Sequence, residues 1–349
     1  MTDIAKGALG GAWTLLVGWI LPTALNLAVV LFTVLPSLQE LDIFERLLPE
    51  TDGGMGLLLT MGSLLIGLVG NACQNPLYRL LEGYLLWPAS AYAAGCRRNR
   101  RIRMQLADRL TVLRLERRQE NQGGLSTEAT AQLARVLSQP RVARAASLDR
   151  RRTATQRALL REELARYPVA EDQIAPTRLG NAIRRFEEYG WDRYQLDTQL
   201  LWNELTGTVP DQIRRQVDLA RVSVDFFVAL LYGHAAVCAL ALFAMATSHS
   251  DRPLLLVTTI VLAALIPVWY RSAVTATDEW AAAVRAMVNV GRKPLAASLG
   301  LALPQTLAAE RDMWRMVSRL SRIPYHERAA ALDRYRTAET GDPEENSCS

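Results

Sequence analysis

An all-α, polytopic membrane fold is the architecture this 349-residue sequence predicts, and three observations carry the prediction. Four long runs lack charge, the charges between them are unevenly distributed, and the polar segments repeat their apolar residues at helical spacing. From Gly7 to Gln39 there are 33 residues without a charge, and from Gly53 to Tyr78 another 26. Each exceeds the roughly 20 residues that span a bilayer as helix. From Phe226 to Ser250 there is no Asp, Glu, Lys or Arg, and His234 and His249 are the only basic side chains, while Pro253 to Tyr270 is uncharged. Four transmembrane helices in two pairs follow. The first run is longer than the apolar core of a signal peptide and no A-x-A site closes it, so a retained helix is expected.

The charges set an expected orientation. Ser37 to Asp52 holds five carboxylates against Arg46 alone, whereas Arg97 to Arg118 holds nine arginines against Asp108 and Glu116. Basic flanks stay in the cytoplasm, which puts both termini and the long middle segment inside a bacterial inner membrane. Two short loops, about 37–54 and 248–252, fall outside. The chain then divides into a first span pair with its exit helix (1–92), a cytosolic helical domain (93–222), a second span pair (223–272), further cytosolic helices (273–336) and a polar, disordered tail (337–349).

In the first span Pro22 stands four residues before Asn26, where a freed carbonyl and an amide can face a partner helix. The second span carries Ser63 and Gly67 at small-xxx-small spacing, with Gly62 and Gly70 nearby, so another helix backbone can come close. It ends in "NACQNPLY". Lipid tails would not tolerate the amides of Asn71, Gln74 and Asn75, and Pro76 removes an N–H, so a kink or break is expected there. Tyr78, Tyr84 and Trp87 fit an interfacial belt, and Arg79 and Glu82 share a helix face. Two readings of Asn26, Asn71, Gln74, Asn75 and Pro76 stay open: an ordinary membrane exit, or the polar neck of a water-filled path.

From Arg97 onward Ile102, Leu106, Leu110 and Leu113 share one helical face. "NQGG" at 121–124 is a turn, Ser126 caps the next helix, and Pro140 interrupts the pattern. A third helix is expected over Val142–Tyr167, with Leu148, Leu159, Leu160 and Leu164 as its apolar positions. The arginines Arg97, Arg98, Arg100, Arg101 and Arg103 lie beside the inner leaflet, where each contributes about 1 kcal/mol to binding anionic head groups. Nucleic acid is a less natural partner at that place. Arginine outnumbers lysine 38 to 2, which a GC-rich genome or phosphate recognition would each produce.

The stretch "PTRLGNAIRRFEEYGWDRYQLDTQLLWNEL", Pro176 to Leu205, concentrates four arginines, five carboxylates and five aromatic rings. Its spacing predicts a helix from Pro176 to Gly190 and a second, capped by Asp192, to about Thr206. Arg184 with Glu188 and Arg193 with Asp197 stand at i, i+4, the pattern of an ion-paired outer face. Asn181, on an otherwise apolar turn, is placed to hold a backbone carbonyl or a ligand. The residues Pro176, Thr177, Leu179, Gly180, Asn181, Arg193, Tyr194, Asp197 and Trp202 resemble an uncharacterised bacterial multi-pass membrane family with a P-T-x-L-G-N segment, an R-Y-x-x-D segment and a following tryptophan. The resemblance implies a four-span layout and no activity.

Pro210 starts the helix leading into the third span. After the fourth, a helix is expected through Trp280 to about Val290, broken by "GRKP", with Pro304 ahead of a last amphipathic helix bearing Leu307, Met313, Trp314, Val317 and Leu320. No Walker A loop, HExxH, GxSxG or GxGxxG occurs, and no cofactor or metal is implied. His234 and Cys238 at i, i+4 could supply two metal ligands, or form a packed polar pair. Cys73, Cys96, Cys238 and Cys348 share no CxxC spacing, and a disulfide framework is not expected. The layout is similar to that of bestrophin-type channels in span order alone. The expectation is therefore a non-enzymatic, self-associating, channel-like membrane protein, or else a non-conducting scaffold or sensor whose cytosolic helices bind a partner protein.

Overall fold

The computed structural model describes residues 11–38, 51–149, 153–247, 251–324 and 327–336. Most of the acidic loop, His249, Cys348 and the tail from 337 lie outside the described residues. The chain is all-α, and four helices are long and apolar enough to cross a membrane. They are α1 (Gly11–Leu38), α2 (Asp52–Ala72), α11 (Asp211–Ala244) and α12 (Arg252–Ser298). Between α2 and α11 come α3 (Gln74–Glu82), α4 (Ala89–Gln122), α5 (Thr127–Leu137), α6 (Pro140–Asp149), α7 (Thr153–Ala165), α8 (Arg178–Glu187), α9 (Tyr189–Tyr194) and α10 (Trp202–Thr208); α13 (Leu307–Leu320) follows α12.

Packing groups the chain into two compact units, 1–185 with 218–280, and 186–217 with 281–349. This grouping cuts across the division read along the sequence.

In the first unit, α1 widens into π-helical turns at Leu16–Ile20 and Val30–Val34, on either side of Leu21–Val29. Pro22 has no N–H to offer, and the Leu21 N–H reaches back five residues to the Leu16 carbonyl. The small-residue row of α2 seats α1. A Cβ on Gly62 would stand 2.8 Å from Leu27, and one on Gly70 2.8 Å from the Trp19 ring, so only glycine lets these helices approach so closely. The close partner that the sequence required is thus another span of the same chain. Val34, Leu38, Val237, Ala241, Ala244, Leu255 and Leu262 form the apolar core that joins α1, α11 and α12.

The expected break after α2 falls at Cys73, three residues ahead of Pro76. Pro76 sits in the first turn of α3, where its missing N–H would have had no helical acceptor. Gly83 closes α3 in the left-handed region, φ 93°, and α4 starts at Ala89.

The bundle α4–α7 has two cores on different faces of α4. Leu106, Leu110, Leu113, Leu160 and Tyr167 form one, and Val112, Val136, Val142 and Ala146 the other. Gly123 ends α4 with φ 68°, Ser126 Oγ accepts the Ala129 N–H at 3.3 Å, and α6 begins at Pro140, all as the turn chemistry demands. The single helix expected over Val142–Tyr167 is described as α6 and α7, with 150–152 outside the described residues. Leu148 and Leu159 are exposed, so only Leu160 and Leu164 of its four apolar positions pack. Both Arg109 N–H groups meet Asp149, at 2.9 and 2.7 Å, and this pairing raises the guanidinium pKa above its ordinary value.

The second unit corrects three expectations. Gly190 lies inside α9, and Asp192 is in its first turn instead of capping a longer helix. The chain turns at Gln195, which takes φ 60°, so no helix joins Arg193 to Asp197 and their i, i+4 pair does not form. "GRKP" does not interrupt α12, which continues to Ser298. Gly291 is retained there for packing, since a Cβ would come within 2.6 Å of both Leu205 and Val209. Thr306 caps α13, which buries Met313, Trp314 and Val317 while Leu307 stays exposed.

Candidate functional site

Alpha-helical backbone satisfies itself in a lipid environment, but polar side chains there must find partners or cost several kcal/mol, which singles out those that α11 buries. Asp225 and His234 are 6% and 7% exposed. They lie nine residues apart, about 14 Å along the helix at 1.5 Å per residue. Around Asp225, the Tyr78 hydroxyl donates to Oδ1 at 2.7 Å, and the Arg221 Nε stands 3.8 Å from Oδ2. Arg221 also donates to Gln74 Oε1 at 3.0 Å and lies over the Trp280 ring. Burial first, and the Asp225 carboxylate second, raise the Tyr78 phenol well above its usual pKa, so it stays a donor. Helix α3 is held against α11 once more by the Tyr232 hydroxyl, which donates to the Leu77 carbonyl at 2.8 Å.

Further along, Asn26 from α1 donates to the Pro22 carbonyl at 2.7 Å and turns its Oδ1 to His234 Nδ1 at 2.8 Å. Because the Asn26 amide nitrogen is committed to a carbonyl, its oxygen must accept, and Nδ1 of His234 carries the hydrogen. Asn26 reaches α11 over Gly233, where a Cβ would collide with the amide at 2.2 Å. The Trp269 ring stands edge-on to His234 at 6.0 Å and stacks on Phe227. Buried indole N–H groups of Trp19 and Trp269 have no acceptor among the described residues. The result is two separate polar clusters on opposite sides of α11, one of Gln74, Tyr78, Arg221 and Asp225, the other of Asn26 and His234.

The sequence reading finds part of these clusters. Gln74 belongs to the first and Asn26 to the second. Asn71 is half-buried, while Asn75 and Pro76 are exposed. His234 and Cys238 do not converge on a common ligand, for Cys238 Sγ donates to the Thr259 carbonyl at 3.7 Å. No cluster of three metal-ligating side chains occurs among the described residues. Asp225 was missed, although it stands one residue ahead of the uncharged run and one helical turn beyond Arg221. That spacing was the available signal.

Most residues singled out in the 176–205 stretch are engaged within the fold. In the first unit, Asn181 is 1% exposed and makes three backbone bonds: its amide donates to the Ala175 and Thr177 carbonyls at 2.9 and 2.6 Å, and its Oδ1 accepts the Ala175 N–H at 2.9 Å. The strap it pins presses Pro176 onto Gly83, and the Pro176 carbonyl accepts from Asn99 at 2.8 Å. Thr177 donates to the Glu82 carbonyl at 3.3 Å, and the Tyr270 hydroxyl meets the Leu179 N–H at 3.3 Å. Arg184 donates to the Gln173 carbonyl and lies over the Tyr84 ring. The P-T-x-L-G-N segment therefore ties the α3–α4 turn to the exit of the fourth span.

In the second unit, Tyr194 donates to Asn289 Oδ1 at 2.9 Å and carries Arg292 on its ring at 4.6 Å. Arg292 pairs with Glu310 through contacts of 2.6 and 2.5 Å, and the Trp314 indole donates to the same carboxylate. Asp197 accepts the Leu200 N–H and pairs with Arg322. Arg193 contributes its backbone carbonyl to Arg311 and leaves its side chain exposed, and Trp202 is only half-buried.

Of the five arginines expected at head groups, Arg100 and Arg103 donate instead to the Glu171 and Val169 carbonyls, at 3.2 and 2.8 Å. Arg97, Arg98 and Arg101 line an open groove, joined by Arg141 of α6.

The fold thus defines an all-α chain with four candidate membrane spans and two buried polar clusters on α11. No protein-family model, curated protein or solved structure matches it.

Proposed function

We propose that this is an integral membrane protein with a channel-like role, in which protons or small ions pass by way of Asp225 on α11. The observation that carries this reading is the buried carboxylate. An ionisable side chain inside a span bundle is costly to keep, and such residues mark ion paths and proton relays. Asp225 is also incompletely paired, holding one phenol and a guanidinium too distant for a hydrogen bond. Unpartnered indole donors in the same bundle support access for water, since a buried donor left dry costs about 1–3 kcal/mol. The outward faces of α2 and α12, whose most apolar windows are only 11% buried, are surfaces for lipid or for a second copy of the chain.

Purified protein in liposomes should pass protons or ions, and Asp225→Asn should abolish the flux while the protein keeps its helicity. Silence toward protons, cations and anions at every voltage and pH would overturn the reading. Recovery of a specific partner from native membranes together with that silence would establish the scaffold reading in its place. The orientation is part of the proposal: a reporter fused after residue 120 should be cytosolic and one inserted near Gly53 external.

A further inference from the structure

Helix α4 carries a second feature, independent of conduction. Arg97, Arg98 and Arg101 stand at spacings of one, three and four residues on α4, with Ile102 and Gln105 one turn further on, and Arg141 reaches the same place from α6. Together they line an open groove of about 440 Å³. No acidic side chain contributes to its lining. All four guanidiniums are exposed and have no hydrogen-bond or ion-pair partner among the described residues. Their neighbours behave differently, for Arg100 and Arg103 are committed to backbone carbonyls and Arg109 to Asp149. The Gln139 side chain donates to Asp108 at 3.1 Å, fixing the loop before α6 to α4 near Arg141.

Four unneutralised guanidiniums held around one groove by two packed helices repel one another, and an anion relieves that repulsion. Guanidinium forks match the tetrahedral oxygens of a phosphate, which can take two parallel N–H···O bonds from each of them. The Gln105 amide supplies a neutral donor of the kind that meets an ester or hydroxyl oxygen. We propose that this groove is a binding site for a phosphate-bearing ligand.

The ligand could be a phospholipid head group or a soluble phosphate compound, and the location favours the first. Leu85, Leu86 and Trp87 are exposed just ahead of α4, as an interfacial anchor would be. From Ala89 to Arg97 the helix rises by at most about 12 Å, against about 5–8 Å for one head-group layer, a difference that the length of an arginine side chain spans.

The test titrates the full-length chain in a neutral detergent with three probes, followed by calorimetry: dihexanoyl phosphatidylglycerol, dihexanoyl phosphatidylcholine and inorganic pyrophosphate. Binding of the phosphatidylglycerol, with the phosphatidylcholine weak, is expected. The Arg97→Gln/Arg101→Gln variant should weaken it about 25-fold, taking about fivefold for each arginine near an anionic surface. The Arg114→Gln/Arg117→Gln variant removes the same charge further along α4 and should bind as the wild type does. Pyrophosphate binding that is lost in the groove variant, without lipid binding, supports the site and assigns it to a soluble phosphate. The proposal is overturned if neither anionic probe binds, or if the two double variants lose binding equally.

Discussion

The two units each bury a carboxylate beside an arginine, and they treat it in opposite ways. Glu310 in the second unit receives two guanidinium contacts near 2.5 Å and an indole N–H, so its oxygens are met by charge-assisted donors. Asp225 in the first unit receives one phenol, and its arginine stands 3.8 Å away with 41% of its side chain exposed. A satisfied buried pair is rigid and has little chemistry left to do. An under-satisfied one keeps the capacity to exchange partners, so the difference separates a brace from a candidate path.

The largest expected effect tests the brace. Glu310→Gln leaves the Arg292 charge against a neutral amide and should cost about 3–5 kcal/mol, seen as a lower melting temperature in detergent. A smaller loss would mean that Arg292 finds another acceptor and that Glu310 is less committed than its geometry implies. Next comes Asn181→Ala, which strips the partner from the buried Ala175 carbonyl and N–H and removes one of two donors to the Thr177 carbonyl. It should cost about 2–3 kcal/mol without changing flux at temperatures where the protein is folded. Loss of flux at unchanged stability would make the strap part of a site.

Asp225→Asn sharpens the comparison most directly. The amide oxygen still accepts from Tyr78, and Arg221 is partly solvated, so stability should change by less than about 1 kcal/mol while flux disappears. If it destabilises as much as Glu310→Gln, both carboxylates are braces and the path reading loses its foundation. At the small end is Arg193→Gln. The Arg193 side chain is exposed and reaches only the Tyr194 ring, at 6.0 Å, so it should matter by no more than about 0.5 kcal/mol, despite its place in the R-Y-x-x-D segment.

The side chains of the 176–205 stretch, which looks like a concentrated active site, are largely used in contacts within the fold. The sequence reading of it was half right for a physical reason. Helix spacing predicts a helix from Pro176, and Leu179, Ile183 and Phe186 on one face of it are buried, because the spacing of one face is a local property. It also extended a second helix across Gln195 to Asp197. There the bonds from Asp197 to the Leu200 N–H and to Arg322 compete with helical geometry, and Arg322 is more than a hundred residues away. Trp202 is half-buried, because Leu201 and Leu205 take the inward positions around it.

Hydrophobic run length, charge and capping act within a few residues of one another, which is why the all-α class, the four apolar helices and several helix ends are legible in the sequence. Cap and breaker chemistry at Gly83, Gly123, Ser126 and Pro140 is local in the same way. Only the tertiary structure decided which arginines remain free, since Arg100 and Arg103 are claimed by carbonyls some seventy residues on while Arg97 and Arg101 meet Arg141. It decided likewise that the glycines of α2 serve α1, and that Asp225 lies under Tyr78 and Arg221 instead of facing water. These are contacts across long sequence separations, and no periodicity in one segment encodes what another segment will place against it.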